Sequence, residues 1–197
     1  MQLTSFLLLI TMVAPAAVQD VSEAKSAVRQ GRWADAERLL AGSSEEEGLY
    51  LLGRAQVELK KTDSAETMFM SILERNSESS LGHEGMARVY NARKDYTRAL
   101  ESATRAVELD AESAGAHYIL GVVHAFRRDL PNAIQSLEKS VALDNADAYA
   151  HYHLGLLQYQ QKKFDQTVIH FEKFVELAPN APESGQVNSI LRTVRGR

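Results

Sequence analysis

The stretch that decides the fold is residues 148–181, which read AYAHYHLGLLQYQQKKFDQTVIHFEKFVELAPNA. Apolar residues recur in it at helical three-to-four spacing in two segments, and a turn with the basic pair Lys162-Lys163 separates the two. Where two helices cross at about 8–10 Å, a Gly or Ala in one admits a large side chain of the other. The stretch therefore predicts two packed helices joined by a short turn.

The same pattern occurs four times at a period of 34 residues. Shifting the sequence by this period aligns a row of small residues, namely Gly53, Ala87, Gly121 and Gly155. A fixed period of this length indicates a repeat array, in which neighbouring units bury one continuous core. Four units fit without a gap: 46–79, 80–113, 114–147 and 148–181.

This pattern resembles the tetratricopeptide repeat, whose signature is an aromatic, Leu-Gly, Tyr, Ala, an aromatic and Pro within 34 residues. The unit 148–181 matches it best, with His-Tyr-His-Leu-Gly at 151–155, then Phe164, Phe171 and Pro179. The resemblance implies an all-α, right-handed α-solenoid of antiparallel helix pairs. Histidine or leucine replaces the first aromatic in each unit, and we expect the repeated histidines, His83, His117 and His151, to have a structural role.

The flanks of the array also show helical patterns. Residues 17–45 resemble a divergent N-terminal repeat, and residues 182–197 read as a C-terminal capping helix with a basic tail. The capping helix places its apolar residues on one face, which an array needs to cover its last unit. Ser44 and Glu47 predict a capping box at the first full unit, and Asp95 and Asp129 predict caps for two second helices.

The first residues differ from the rest of the chain. Residues 1–17 carry no charged side chain, and Phe6 to Val13 form an apolar run, except for Thr11, that precedes Ala14-Pro15-Ala16. This is typical of a secretion signal, so we predict a signal peptide at 1–16 and an exported protein, periplasmic or secreted. The alternatives are an uncleaved N-terminal anchor and a mis-started reading frame. After cleavage no integral membrane span is expected, because no other segment approaches membrane-spanning length.

Composition excludes several functions. The chain has no cysteine, which rules out disulfides, cysteine nucleophiles and cysteine-ligated metals. Its formal net charge of −4 argues against nucleic acid as a partner. Catalytic and phosphate-binding motifs are missing, and His83-Glu84 lacks the second histidine of a zinc-protease motif because residue 87 is Ala. We therefore predict no enzyme, no cofactor and no metal site.

The resemblance places ligand contacts on the concave face, at fixed positions of each first helix. On this chain they are Tyr50, Arg54, Arg88, Asn91, Tyr118, Val122, Phe126, Tyr149, Tyr152, Leu156 and Tyr159. Aromatics gathered on a concave surface are common anchors of protein-binding sites. We therefore predict a non-catalytic adaptor that binds a peptide or protein segment in a groove. Family members also favour Tyr at the fifth and twelfth positions, so a role in the scaffold is the alternative for Tyr50, Tyr118, Tyr152 and Tyr159.

Two further interpretations stay open at this stage. Basic pairs recur in the turns within the units, at Lys60-Lys61, Arg93-Lys94, Arg127-Arg128 and Lys162-Lys163, and acidic residues gather at the opposite edge. Helix-dipole matching explains this arrangement, and so does an edge that docks on an anionic partner or a membrane surface. The alternative to the adaptor is a self-assembling structural subunit, a homo-oligomer built through end faces or charged edges, with no peptide client.

Overall fold

A computed structural model describes residues 21–196, and within that range the chain forms eleven α-helices and no strand. The helices are α1 (Val21–Arg29), α2 (Trp33–Leu39), α3 (Glu46–Glu58), α4 (Thr62–Arg75), α5 (Ser80–Ala92), α6 (Tyr96–Leu109), α7 (Ala114–Phe126), α8 (Leu130–Leu143), α9 (Ala148–Gln160), α10 (Phe164–Leu177) and α11 (Ser184–Arg195). The predicted signal peptide, 1–16, lies outside the described residues. None of the eleven helices is long and apolar enough to span a membrane.

The helices pack in consecutive pairs, which confirms the predicted all-α solenoid. Each 34-residue unit contributes one pair, from α3 with α4 to α9 with α10, and α1 with α2 forms a shorter pair before them. Helix α11 closes the far end, where its buried Val187 and Leu191 pack in a cluster with Phe174. The core therefore runs along the array between successive pairs.

Glycines bring neighbouring helices into close contact, both between consecutive pairs and within a pair. A Cβ atom built on Gly85 of α5 would overlap the ring of Phe69 of α4, and one built on Gly155 of α9 would overlap the ring of Phe171 of α10. Both phenylalanines are fully buried. Large and small residues thus interlock across the array, as the 34-residue alignment predicts.

The predicted helix caps are correct in two cases and wrong in one. Asp95 and Asp129 accept hydrogen bonds from the backbone N–H groups of Arg98 and Asn132, as expected for N-caps. The capping box at Ser44 and Glu47 is not formed, because α3 starts one residue later, with Glu45 at its N-cap position. Glu47 instead forms an ion pair with Lys25 of α1 at 2.5 Å.

The turn within each full unit contains a basic residue with a left-handed backbone. Lys60, Lys94, Arg128 and Lys162 have φ angles of 63°, 63°, 64° and 59°. In the first unit, Lys60 and Lys61 donate backbone hydrogen bonds to Val57 and Gln56, the pattern that commonly ends a helix with glycine. An L-residue in this conformation costs roughly 1–2 kcal/mol, so these cations occupy positions that suit glycine better.

The array curls until its first helix pair contacts the fourth full unit. The ring of Trp33 lies 5.4 Å from that of Tyr149, measured between centroids. Arg29 forms an ion pair with Asp144 at 2.8 Å, between residues 115 positions apart in the sequence. This curvature narrows the concave face to a pocket.

Candidate functional site: a pocket on the concave face

The concave face holds a pocket of about 360 Å³ among the first helices of the units. Seven of the predicted contact residues line it: Arg88, Asn91, Tyr118, Val122, Phe126, Tyr149 and Tyr152. The predicted residues on α5, α7 and α9 thus meet around one space, together with Glu58 and Lys60 at the end of α3.

The structure does not bring the other four predicted residues into this pocket. Tyr50 and Arg54 are buried beneath it, with 6% and 7% of their surface exposed. Leu156 packs against the cluster formed by α10 and α11, and the ring of Tyr159 lies 6.1 Å from that of Phe164. These residues support the scaffold in the structure, and a direct ligand contact from them stays a prediction.

A buried ion pair lies at the centre of the concave face. Glu84 is 1% exposed and accepts hydrogen bonds from Nε and Nη2 of Arg88, at 3.1 and 2.7 Å. Tyr50 donates its hydroxyl hydrogen to the same carboxylate. Burial, together with the negative charge of Glu84, raises the pKa of the Tyr50 hydroxyl, which therefore stays protonated. Glu84 thus joins helices α3 and α5.

A second buried ion pair links α3 of the first full unit to Asp147, the last residue of the third unit and the N-cap of α9. Arg54 Nη2 donates to Asp147 Oδ2 at 3.0 Å, across 93 residues of sequence. Asp147 also caps α9 by accepting the backbone N–H of Tyr149 at 2.9 Å. Burial alone would raise the pKa of Asp147, but the charge and hydrogen bond of Arg54 outweigh it and lower the pKa. Asp147 therefore stays charged, and its ion pair with Arg54 stabilises the curvature of the array.

Tyr118 lies between the two buried arginines. The guanidinium carbons of Arg88 and Arg54 are 5.0 and 6.0 Å from the centre of its ring, within the range of cation–π contacts. The His153 ring packs edge-on against Tyr118 at 5.6 Å. Burial lowers the pKa of His153 to about 4, so its imidazole is neutral at pH 7.

Tyr149 connects the pocket wall to both ends of the array. Its hydroxyl donates to Glu183 Oε2 at 3.1 Å, and its ring contacts Trp33. Burial and the neighbouring Glu183 raise the pKa of Tyr149. Tyr149 is only 7% exposed, although the sequence predicts an open position on the concave face. The rings of Trp33, Tyr152 and Phe174 pack around it.

The rim of the pocket carries an aromatic pair. Phe126 is 53% exposed, and its ring stacks on Tyr96 at 5.6 Å with an angle of 8° between the planes. The sequence pattern does not predict Tyr96, because the resemblance places contacts on first helices and Tyr96 begins a second helix. The same position is Phe164 in the last unit, so an aromatic after the turn was visible in the sequence.

Each of the repeated histidines contacts the turn that ends the preceding unit. His83 Nε2 lies 3.0 Å from the backbone oxygen of Ser77, and His117 Nε2 lies 3.0 Å from that of Ala111. His151 repeats the contact with Asn145 at 3.3 Å. Among residues 21–196, no group of three or more His, Asp or Glu side chains has an arrangement suited to a metal ion.

Comparison with known families places the repeats. Models described as tetratricopeptide repeat match residues 50–114 and 149–181, and one described as TPR repeat matches residues 128–162. No curated protein sequence matches the chain at a significant level.

Several solved structures share the fold. TTC0263, a thermophilic TPR protein in Thermus thermophilus, is 19% identical with a TM-score of 0.68 over 90% of this chain and 97% of that one. MamA from Desulfovibrio magneticus RS-1, from residue 41 to its end, is 25% identical with a TM-score of 0.52, covering 79% and 91% of the two chains. YrrB, a TPR protein with an unusual peptide-binding site, is 18% identical with a TM-score of 0.54, covering 88% and 92%. At 18 to 19% identity, the likeness to TTC0263 and YrrB concerns the fold alone.

Proposed function

Because this chain is a tetratricopeptide repeat protein, we propose that it is a non-catalytic adaptor which binds a peptide or protein segment at the concave pocket. The fold suggests a scaffold for protein–protein interaction, and proteins of this family are typically without catalytic activity. The adaptor role, the peptide client and the export of the chain are the parts that we propose.

The observation that carries the proposal is the aromatic pair at the pocket rim. An aromatic side chain that is half exposed beside a concave, partly apolar space is the usual anchor of a binding site. Phe126 and Tyr96 have this arrangement, and Tyr152 adds a half-buried ring to the same pocket. A volume of about 360 Å³ is at the lower end of the range for ligand pockets, so it suits one or two large side chains of a bound segment.

The fold of one solved structure supports the same role. YrrB has an unusual peptide-binding site, and its helical array resembles this one in fold. For export, the support is the apolar run and small-residue site within residues 1–16. We propose that this segment directs the chain to the periplasm or outside the cell, which fractionation of the source cells and sequencing of the mature N-terminus would test.

To test the adaptor role, residues 17–197 are used to capture partners from an extract of the cell envelope of the source organism. Two matched variants are compared with the wild type: Phe126→Ala in the pocket and Ile169→Ala outside it, at positions that are 53% and 55% exposed. Both remove an exposed apolar side chain, so neither is expected to disturb the core. We expect the wild type and Ile169→Ala to capture the same partner and Phe126→Ala to lose it.

A partner captured equally by both variants would refute the pocket as the binding site. Self-assembly is tested in the same samples by measuring molar mass against protein concentration. A mass that rises with concentration in all three proteins, without a captured partner, would favour the structural subunit over the adaptor.

A further inference from the structure

Two of the four left-handed basic residues stand at the mouth of the pocket. Lys60 and Lys94 both line it, and Lys94 and Arg127 line a shallow depression beside it, next to Tyr96. All three cations are exposed. The turns that end α3, α5 and α7 therefore bring positive charge to the same rim as the aromatic pair.

These cations have no ionic partner within the described part of the chain. Lys60, Lys94 and Arg127 form no ion pair there, whereas the adjacent Arg93 pairs with Asp63 at 2.8 Å and with Glu66 at 2.7 Å. Arg88, deeper in the pocket, is neutralised by Glu84. The positive charge that remains available to a ligand therefore lies at the turns.

The backbone conformation of Lys60 and Lys94 shows that the fold does not require a lysine at either position. Both have a φ of 63°, a conformation in which glycine is unstrained. A lysine at this position strains the turn and gains no ion pair in the described structure, so its contribution to the fold is smaller than that of glycine. Arg128 and Lys162 have the same strained conformation away from the pocket, so it is their place in the pocket lining that distinguishes Lys60 and Lys94.

Two carboxylates, Glu58 and Glu183, line the pocket together with Lys60 and Lys94. Glu183 accepts the hydroxyl hydrogen of Tyr149 at 3.1 Å on the opposite wall. Glu58 is exposed near Lys60 in the sequence, and Asp95 in the neighbouring depression is paired with Arg98. Because the depression adds Arg127, the rim beside the aromatic pair has more unpaired positive than negative charge. A carboxylate approaching the rim beside the aromatic pair is therefore attracted by Lys94 and Arg127, and by Lys60 at the next turn.

We propose that the segment bound by the pocket is acidic, with an apolar or aromatic side chain packed against Phe126 and Tyr96 and flanking carboxylates on Lys60 and Lys94. This inference rests on the proposed adaptor role and adds the chemical class of the client. The recognition of charge comes from the turns between helices, not from the arginines of the first helices, because Arg54 and Arg88 are already paired with Asp147 and Glu84.

The test uses selection from a displayed library of random peptides, with residues 17–197 as the target. Lys60→Gly/Lys94→Gly removes both pocket cations and relieves the backbone strain, so this double variant is expected to fold at least as stably as the wild type. Arg128→Gly/Lys162→Gly is the matched control, since it removes two cations with the same backbone conformation that do not line the pocket. Thermal melting of all three proteins verifies the folding.

We expect peptides selected by the wild type to be enriched in Asp and Glu next to an aromatic residue. A synthetic peptide of the selected sequence should bind Lys60→Gly/Lys94→Gly about tenfold more weakly than the wild type and bind the control double variant within about twofold. Added salt should weaken binding to the wild type and have a smaller effect on Lys60→Gly/Lys94→Gly.

Selected peptides without acidic enrichment, or equal affinity for both double variants, would overturn this inference and leave the adaptor role standing. Failure of the wild type to select any peptide would overturn both proposals. Binding to vesicles of phosphatidylglycerol that both double variants lose equally, with no acidic peptide selected, would replace the acidic segment by a membrane surface.

Discussion

The buried pair of Glu84 and Arg88 offers the sharpest test of what holds the concave face together. We consider Glu84→Gln, which keeps the volume of the side chain and removes its charge. Glu84 is 1% exposed and Arg88 is 4% exposed, so the variant leaves a guanidinium charge buried without its nearest counter-ion. The remaining carboxylate in this network, Asp147, is already paired with Arg54.

The expected loss is about 3–5 kcal/mol in the free energy of unfolding, the usual cost of removing one partner from a buried ion pair. This is a large share of a total stability of about 5–15 kcal/mol. With a denaturant slope of about 2 kcal/mol per M of urea, the midpoint should fall by about 1.5–2.5 M. Urea unfolding followed by far-UV circular dichroism measures it.

Two further variants make the reasoning refutable. Glu176→Gln breaks an exposed pair with Lys173 on α10, and we expect a change between about 0 and 1 kcal/mol. Replacing both buried partners, as Glu84→Gln/Arg88→Met, should recover part of the stability because no unpaired charge is left. A loss below about 1 kcal/mol for Glu84→Gln, or a double variant less stable than the single one, would refute the argument.

Three other outcomes follow from the packing and the turns. Gly85→Ala should lower the free energy of unfolding by about 1–3 kcal/mol in urea, because the added Cβ meets the Phe69 ring. Gly185→Ala should be neutral or stabilising, because no atom lies within 4 Å of the added Cβ. Equal effects of the two substitutions would contradict the close packing at Gly85. Arg128→Gly should raise the unfolding free energy by about 0.5–1 kcal/mol, because φ is 64° there, and a fall in melting temperature would contradict the strain. The pKa of His153 is lowered from 6.5 to about 4, so the stability contributed by its neutral imidazole is present above pH 6.5 and is lost as the pH falls from 6.5 toward 4. The urea midpoint of His153→Gln should therefore depend less on pH over this window than the midpoint of the wild type. An unchanged dependence would count against the burial of His153.

Part of the candidate site was predictable from the sequence and part was not. The contact positions on the first helices correctly predicted seven residues of the pocket lining, because a fixed repeat brings equivalent residues to one face. Tyr50 and Arg54 have the same register but do not line the pocket, and their polar ends bond to the buried carboxylates of Glu84 and Asp147. The rim residue Tyr96 was missed because it lies beyond a turn.

By itself, the sequence determined the helix pairs and their order along the array. The 34-residue period, the small residues opposite large ones and the caps at Asp95 and Asp129 depend on neighbours in sequence, and local physics is enough to predict them. Only the tertiary structure decided how far the array curls. Curvature is a sum of small rotations between successive units, so no single motif encodes it. It brings Trp33 onto Tyr149 and Arg54 onto Asp147, and these contacts turn an open groove into a small pocket with a basic, aromatic rim.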